Sequence, residues 1–276
     1  MSALDPIVWL LIACVGVGAV AGFLAGLLGI GGGVVIVPAL LLLFDLSELE
    51  GGSARLAVGT SLATIIATSI SAARAQIRRR AVDWGIVRAW TPALLAGSLA
   101  SGPVAAILPV GTLLWFIGSF LLLVSAIMLT RWRPAPHQAL PGPAGNLALG
   151  STAGLVSGLA GIGGGNVIVP TLVYFNVPMQ RAVATSSTLG FPIALFGSLG
   201  FVLAGWNEPG LPPGSLGHVW LPAAAVIAVM TFLVAPLGVS AGHRMPAEVL
   251  RRIFGIALVL AALRILWGAW SGSAMA

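Results

Sequence analysis

Charge is what this sequence has least of. Only 7% of its 276 residues are Asp, Glu, Lys or Arg, against roughly 25% in an average soluble domain, so a water-facing surface cannot be assembled from them. Lysine is absent, and all thirteen basic residues are Arg. Cysteine is reduced to Cys14, which excludes intramolecular disulfides and thiolate metal clusters. The three histidines, His137, His218 and His243, fall in loops or at helix ends, without the four-residue spacing of a zinc helix. No nucleophile with a matching base stands inside an apolar stretch, so an intramembrane enzyme is not expected, and no cofactor is implied. The net charge of +6 does not point to nucleic acid either, because that partner needs a basic face on a soluble module. No basic residue precedes the apolar run that starts the chain, which argues against a cleaved signal peptide.

What is present is apolar length. Hydrophobic residues make up 58% of the chain, in stretches of about 20 that match the ~30 Å hydrocarbon core of a bilayer. The lipid bilayer is therefore the expected surrounding, and an all-α polytopic membrane protein the expected fold. The 37 Gly and 18 Pro predict helices that pack closely and are often interrupted, since Gly lets backbones approach and Pro removes a hydrogen bond from the ladder.

The chain is also an internal duplication. At an offset of 132 residues, Gly18, Gly22, Gly26 and Gly29 align with Gly150, Gly154, Gly158 and Gly161. The segment Gly29-Ile30-Gly31-Gly32-Gly33-Val34-Val35-Ile36-Val37-Pro38 faces Gly161-Ile162-Gly163-Gly164-Gly165-Asn166-Val167-Ile168-Val169-Pro170 with one difference in ten positions. Further on, Ala57-Val58-Gly59-Thr60-Ser61 matches Ala182-Val183-Ala184-Thr185-Ser186 at an offset of 125. Two transmembrane repeats are read from this, residues 1–133 and 144–276, joined by a Pro-rich linker at 134–143.

Each repeat opens with a helix, residues 8–28 or 144–160, whose glycines four apart form a close-packing stripe. The Gly-Ile-Gly-Gly-Gly elbow then breaks it, and a half-helix follows at 34–44 or 166–176, only about 16 Å long and half a membrane. Complete helices are predicted at 55–76, 85–107 and 112–131, and again at 180–204, 217–240 and 248–271. Tryptophans near span ends, Trp84, Trp90, Trp132, Trp206, Trp220, Trp267 and Trp270, read as an aromatic belt. Arg264, near the end of the last span, reads as snorkelling to the interface in preference to the alternative, pairing with a buried group.

Arginine placement bears on orientation, since cytoplasmic loops are enriched in Arg and Lys. With four simple crossings per repeat the repeats are parallel, with seven Arg inside and five outside. With the Gly-broken segment entering and returning on one side, three crossings remain per repeat, and the count becomes eleven inside against Arg55 outside. The second arrangement, an inverted topology, is the expectation. The acidic loop around Glu48 and the segment Asn207-Glu208-Pro209 then face outside.

Irregular backbone at membrane depth survives only where protein buries it or a polar cavity solvates it. The two elbows are therefore expected to meet at a central site, where the N-termini of the half-helices favour an anion. The candidate binding residues are Gly31, Gly32, Gly33 and Val34 at the first elbow and Gly163, Gly164, Gly165 and Asn166 at the second. Thr60, Ser61, Thr185 and Ser186 could add hydroxyl donors, or could serve ordinary helix-to-helix bonding. Asn166 breaks the repeat symmetry at the position of Val34. It reads either as an amide donor or as a half-helix cap.

At these paired elbows, each followed by Val-Pro and a downstream Ala-Val-x-Thr-Ser, the chain resembles the sulfite exporter TauE/SafE family, also called the 4-toluene sulfonate uptake permease family, over nearly its whole length. The resemblance implies a carrier of sulfite, a sulfonate or a related small anion in a bacterial plasma membrane. It leaves substrate and direction open. No ATP-binding motif is present, so a gradient must drive transport, with the proton as the expected coupling ion. A passive anion channel is the alternative. The sequence does not speak to oligomeric state.

Overall fold

The computed structural model of the chain describes residues 6–28, 32–47, 49, 53–78, 80–130, 140–242 and 247–271. Ten helices make up nearly all of them: α1 (Pro6–Leu28), α2 (Gly33–Ser47), α3 (Ala54–Arg78), α4 (Trp84–Ile107), α5 (Val110–Thr130), α6 (Pro143–Leu159), α7 (Gly165–Tyr174), α8 (Met179–Ala204), α9 (Leu221–Gly242) and α10 (Ala247–Ser271). A two-residue antiparallel ladder, β1 (Ser215–Leu216) with β2 (Val219–Trp220), lies between α8 and α9. This small hairpin was not part of the all-helical expectation. It arises because Gly214 and Gly217, both at positive φ, let the chain turn twice within a few residues.

Five of the described helices, α1, α3, α4, α5 and α8, contain stretches long and apolar enough to cross a bilayer. The helices α9 and α10, of 22 and 25 residues, are of comparable length. By contrast α2 and α7 have 15 and 10 residues, or about 22 and 15 Å, and are too short to cross. Exposed apolar side chains such as Leu203, Val229, Phe232, Leu237, Leu260, Leu263 and Trp267 line the outside of the bundle. On a water-soluble protein so much exposed apolar surface would drive aggregation; in lipid it is the required exterior. The chain is a multi-pass membrane protein.

Lipid tails solvate Leu as well as another helix does, so helix association here depends on close van der Waals contact. The glycine stripes provide it. A Cβ on Gly150 would lie 2.8 Å from Ala93 Cβ, and one on Gly154 would lie 2.5 Å from the Leu94 carbonyl, so α6 runs alongside α4 with backbones nearly touching. The first stripe does the same on another partner: Gly18 abuts Met230 and Ile227, and Gly22 abuts Thr231, so α1 runs alongside α9. In both pairs the two helices point the same way. The pairs α3 with α8 and α5 with α10 are antiparallel. Gly59, Leu62 and Ser69 on α3 meet Phe201, Gly197 and Gly190 on α8 in reverse order. Likewise Gly118 on α5 meets Leu266, while Ser125 Oγ donates to the Gly255 carbonyl at 2.9 Å.

Three readings of single residues are corrected. Trp90 and Trp220 are fully buried, not interfacial; Trp90 Nε1 donates to Asn146 Oδ1 at 3.0 Å and Trp220 Nε1 to the Pro213 carbonyl at 3.1 Å. A buried indole needs an acceptor, and these helix ends provide one. Arg264 does not snorkel, since its Nη2 pairs with Asp45 Oδ2 at 2.6 Å, tying α10 to the end of α2. Asp45 in turn is helical, because α2 extends three residues beyond its expected end. Trp132, His137, His243 and Glu48 lie outside the described residues, as does most of the linker.

Candidate functional site: the paired elbows

The second elbow is fully described. It runs from the end of α6 through Gly161 and Gly164, at φ of +69° and +80°, where any L side chain would be strained. The turn is closed by Ile162 N donating to the Ser157 carbonyl at 2.9 Å. The half-helix α7 then starts with Gly164 as its N-cap and no side-chain capping bond, so its first amides keep the unpaired character of a helix start. Of the first elbow, Gly32 and Gly33 are described; Gly29, Ile30 and Gly31 lie outside the described residues.

The elbows meet. A Cβ on Gly33 would lie 2.5 Å from the Gly161 carbonyl oxygen and 2.9 Å from Ile162 Cα, so the start of α2 sits directly on the second elbow. The same position would be 2.6 Å from Ile65 Cδ1, halfway along α3, which sets the junction near the middle of the bundle. The walls are apolar: Val37, Val58, Ile65, Ile168 and Ile193 pack around Gly161, Gly163 and Gly164. No charged side chain takes part in these contacts. Ser61 Oγ donates to the Gly161 carbonyl at 2.8 Å, which satisfies an acceptor that the break leaves without a helical partner.

The other candidates divide. Thr60, one residue before Ser61, turns away and accepts from Trp220 N at 2.9 Å. Thr185 repeats this role in the second half, accepting from Asp83 N at 3.0 Å. Both hydroxyls thus hold the chain just before a following helix, α9 or α4, and act as helix-to-helix bonds. Val34 is buried in the apolar core; only its backbone is at the elbow. Asn166 does not cap α7. Its Nδ2 and the hydroxyl of Ser186, which is 1% exposed, are buried without a hydrogen-bond partner. A buried amide or hydroxyl without a partner costs ~1–3 kcal/mol, and Asn166 beside the second elbow and Ser186 in the following Ala-Val-x-Thr-Ser each carry that cost as they stand.

Sequence reading missed a second polar cluster, where α3 begins and α4 ends near the hairpin. Arg55 Nε donates to the Ala105 carbonyl at 2.9 Å, and its Nη2 to Ala106 and Leu108 at 3.1 and 3.0 Å, closing the C-terminus of α4. Its Nη1 stands 3.8 Å from Glu208, whose other oxygen is 3.0 Å from His218 Nε2. The three residues are scattered along the chain with no spacing to announce them.

Short interrupted helices paired in the middle of a multi-pass bundle define a membrane transporter. The chain matches the family described as Sulfite exporter TauE/SafE over residues 14–265, and it belongs to that family. It is 31% identical over 264 residues to a probable membrane transporter protein of Haemophilus influenzae, covering 92% of this chain and 97% of the relative. It is 27% identical to the probable membrane transporter protein YunE of Bacillus subtilis, over 91% and 95% of the two chains. A probable membrane transporter protein of Methanocaldococcus jannaschii is 28% identical over 85% of this chain and 87% of its own. No solved structure matches.

Proposed function

We propose that the protein is a secondary carrier of a small oxyanion, sulfite or an organosulfonate, across the plasma membrane, and that the anion binds between the two elbows. The observation that carries this reading is the unpartnered Asn166 amide beside a junction of two helix breaks, with a second unpartnered group, the Ser186 hydroxyl, on α8, the helix that meets the second elbow at Gly190. The start of α7 adds oriented amides and the positive end of a helix dipole, and both favour an anion without requiring a buried cation. The elbows touch as they stand, so the ligand enters when the two halves of the bundle part, and it closes them again around itself. Rocking of one half against the other then exposes the site to either side in turn.

The halves in this reading are the repeats 1–133 and 144–276, in inverted orientation, with 134–143 as linker. Two observations support inversion. Helices α3 and α8 are the same element of the two repeats and pack antiparallel, as do α5 and α10. Equivalent helices run antiparallel only when the symmetry axis lies across them, in the plane of the membrane. The Arg count agrees independently.

The test is a ligand screen of the purified chain against sulfite, sulfate, thiosulfate, sulfoacetate, taurine and carboxylates, read as thermal stabilisation. A ligand that binds only the native state adds ~2.7 kcal/mol at a hundredfold excess over its dissociation constant. Stabilisation by a sulfur oxyanion that is lost in Asn166→Val supports the reading. Stabilisation by none of these anions, or equal stabilisation of the variant, overturns it.

A further inference from the structure

We propose that His218 and Glu208 form a proton-operated latch at the α8–α9 end of the bundle, which holds the hairpin seated while the imidazole is neutral and frees it when the imidazole is protonated; this rests on the carrier reading above. The side chain of His218 is wholly buried, while Glu208, 3.0 Å away, is 38% exposed. The carboxylate thus connects a sealed imidazole to water. Neither ring nitrogen of His218 has an aligned hydrogen bond, so the nitrogen that carries no hydrogen in the neutral ring is free to take one. The charged groups facing the ring are Glu208, from the segment after α8, and Arg55, from α3. Among the described residues of α9 there is no charged side chain, and Asp45 at the end of α2 is engaged by Arg264.

The balance of these groups favours a neutral imidazole while the hairpin is seated. Burial lowers the pKa of His218 most, Glu208 raises it, and Arg55 lowers it. Moving the hairpin into water removes that burial, so the ring then gains a proton from water and keeps Glu208 as its counter-ion. Proton uptake and unseating of the hairpin are therefore linked.

The hairpin is joined to the elbows through two consecutive residues. His218 N donates to the Phe201 carbonyl and Trp220 N to Thr60 Oγ1, while Ser61 donates to the Gly161 carbonyl at the elbow junction. A displacement of the hairpin pulls on Thr60, and the next residue of the same helix holds the elbow. The equivalent contact in the other half, Thr185 with Asp83, has no histidine beside it among the described residues. The proton is taken up from, and returned to, the water that reaches Glu208, so the latch reads the pH on that side of the bundle and carries no proton across.

Two measurements on the full-length protein test this. In proteoliposomes loaded with a pH-sensitive dye, sulfite and sulfoacetate gradients serve as probes. Anion flux through the parent is expected to rise at least tenfold as the pH on both sides is lowered from 8 to 5, whereas His218→Gln is expected to keep its anion flux and lose that dependence. A pH dependence unchanged in His218→Gln, or absent from the parent, overturns the proposal. The second readout needs no transport: nitrogen NMR of labelled histidine in detergent, in the parent and in Glu208→Gln, where the exposed carboxylate is replaced without disturbing the buried ring. A His218 signal that titrates below the ordinary histidine range and shifts to still lower pH in Glu208→Gln supports the site. A signal that stays in one protonation state from pH 4 to 9, or ignores the substitution, sinks it even if anion transport succeeds. Failure of every anion probe with a titrating His218 instead counts against the carrier reading.

Discussion

At the scale of single residues, hydroxyls one position apart do different work. Ser61 satisfies the Gly161 carbonyl inside the elbow, so Ser61→Ala is expected to strand a buried acceptor and lower stability by ~1–3 kcal/mol, measured as a fall in the unfolding midpoint without ligand. Asn166 should behave in the opposite way. Because Val already occupies the matching position in the first repeat and the Asn166 amide has no partner, Asn166→Val is expected to keep or raise the ligand-free midpoint. It should weaken anion binding roughly 5- to 100-fold, the loss of one hydrogen bond to a charged group. Calorimetric titration with sulfite distinguishes this from a merely structural role. His218 gives a pH signature: its seated form disfavours the proton, so folded stability should decline as pH falls through about 6.5, the ordinary histidine value. His218→Gln should remove that decline, which thermal melts from pH 5 to 8 would reveal.

At the scale of elements, the glycine stripes set which helices can touch. Gly154 lies against the α4 backbone while Gly16, on the neighbouring face of α1, has nothing within 4 Å of a Cβ. Gly154→Val is therefore expected to force α6 away from α4 at a cost of ~1–3 kcal/mol or more. Gly16→Val should be tolerated, and comparing the fraction of monodisperse protein after heating checks the contrast. The half-helices follow the same logic of length and environment. Their pattern was visible from the Gly-rich breaks, and α2 and α7 begin at Gly33 and Gly165, one residue before the expected starts. The extension of α2 to Ser47 was not visible, because Arg264, which binds Asp45, lies 219 residues away.

At the scale of the whole molecule, the antiparallel pairs and the Arg distribution both lead to an inverted arrangement, and labelling in intact cells tests it. Single cysteines at Asn207 and Arg80 are suitable, since Cys14 is buried and contributes little background. An impermeant maleimide should modify Asn207→Cys and spare Arg80→Cys. Labelling of both, or protection of both, would mean a different number of crossings, and the reverse pattern would mean the opposite orientation in the membrane. Both positions are exposed at helix connections, so protection would reflect the membrane and not burial.

What the sequence by itself determined is the part governed by local chemistry and by repetition. Scarce charge excluded a soluble fold, apolar length set the helices, and two ten-residue segments differing at one position pointed to the duplication, because each of these is written in contiguous residues. The tertiary structure decided which groups remain without partners. Thr60, Ser61, Thr185 and Ser186 are indistinguishable as a pattern; only packing separates hydroxyls that hold a helix start from one that has no partner. It also brought together Arg55, Glu208 and His218, drawn from three places in the chain by the folding of the hairpin against α3. Hydrogen bonding depends on distances of a few tenths of an ångström between residues far apart in sequence, and no local periodicity encodes those distances.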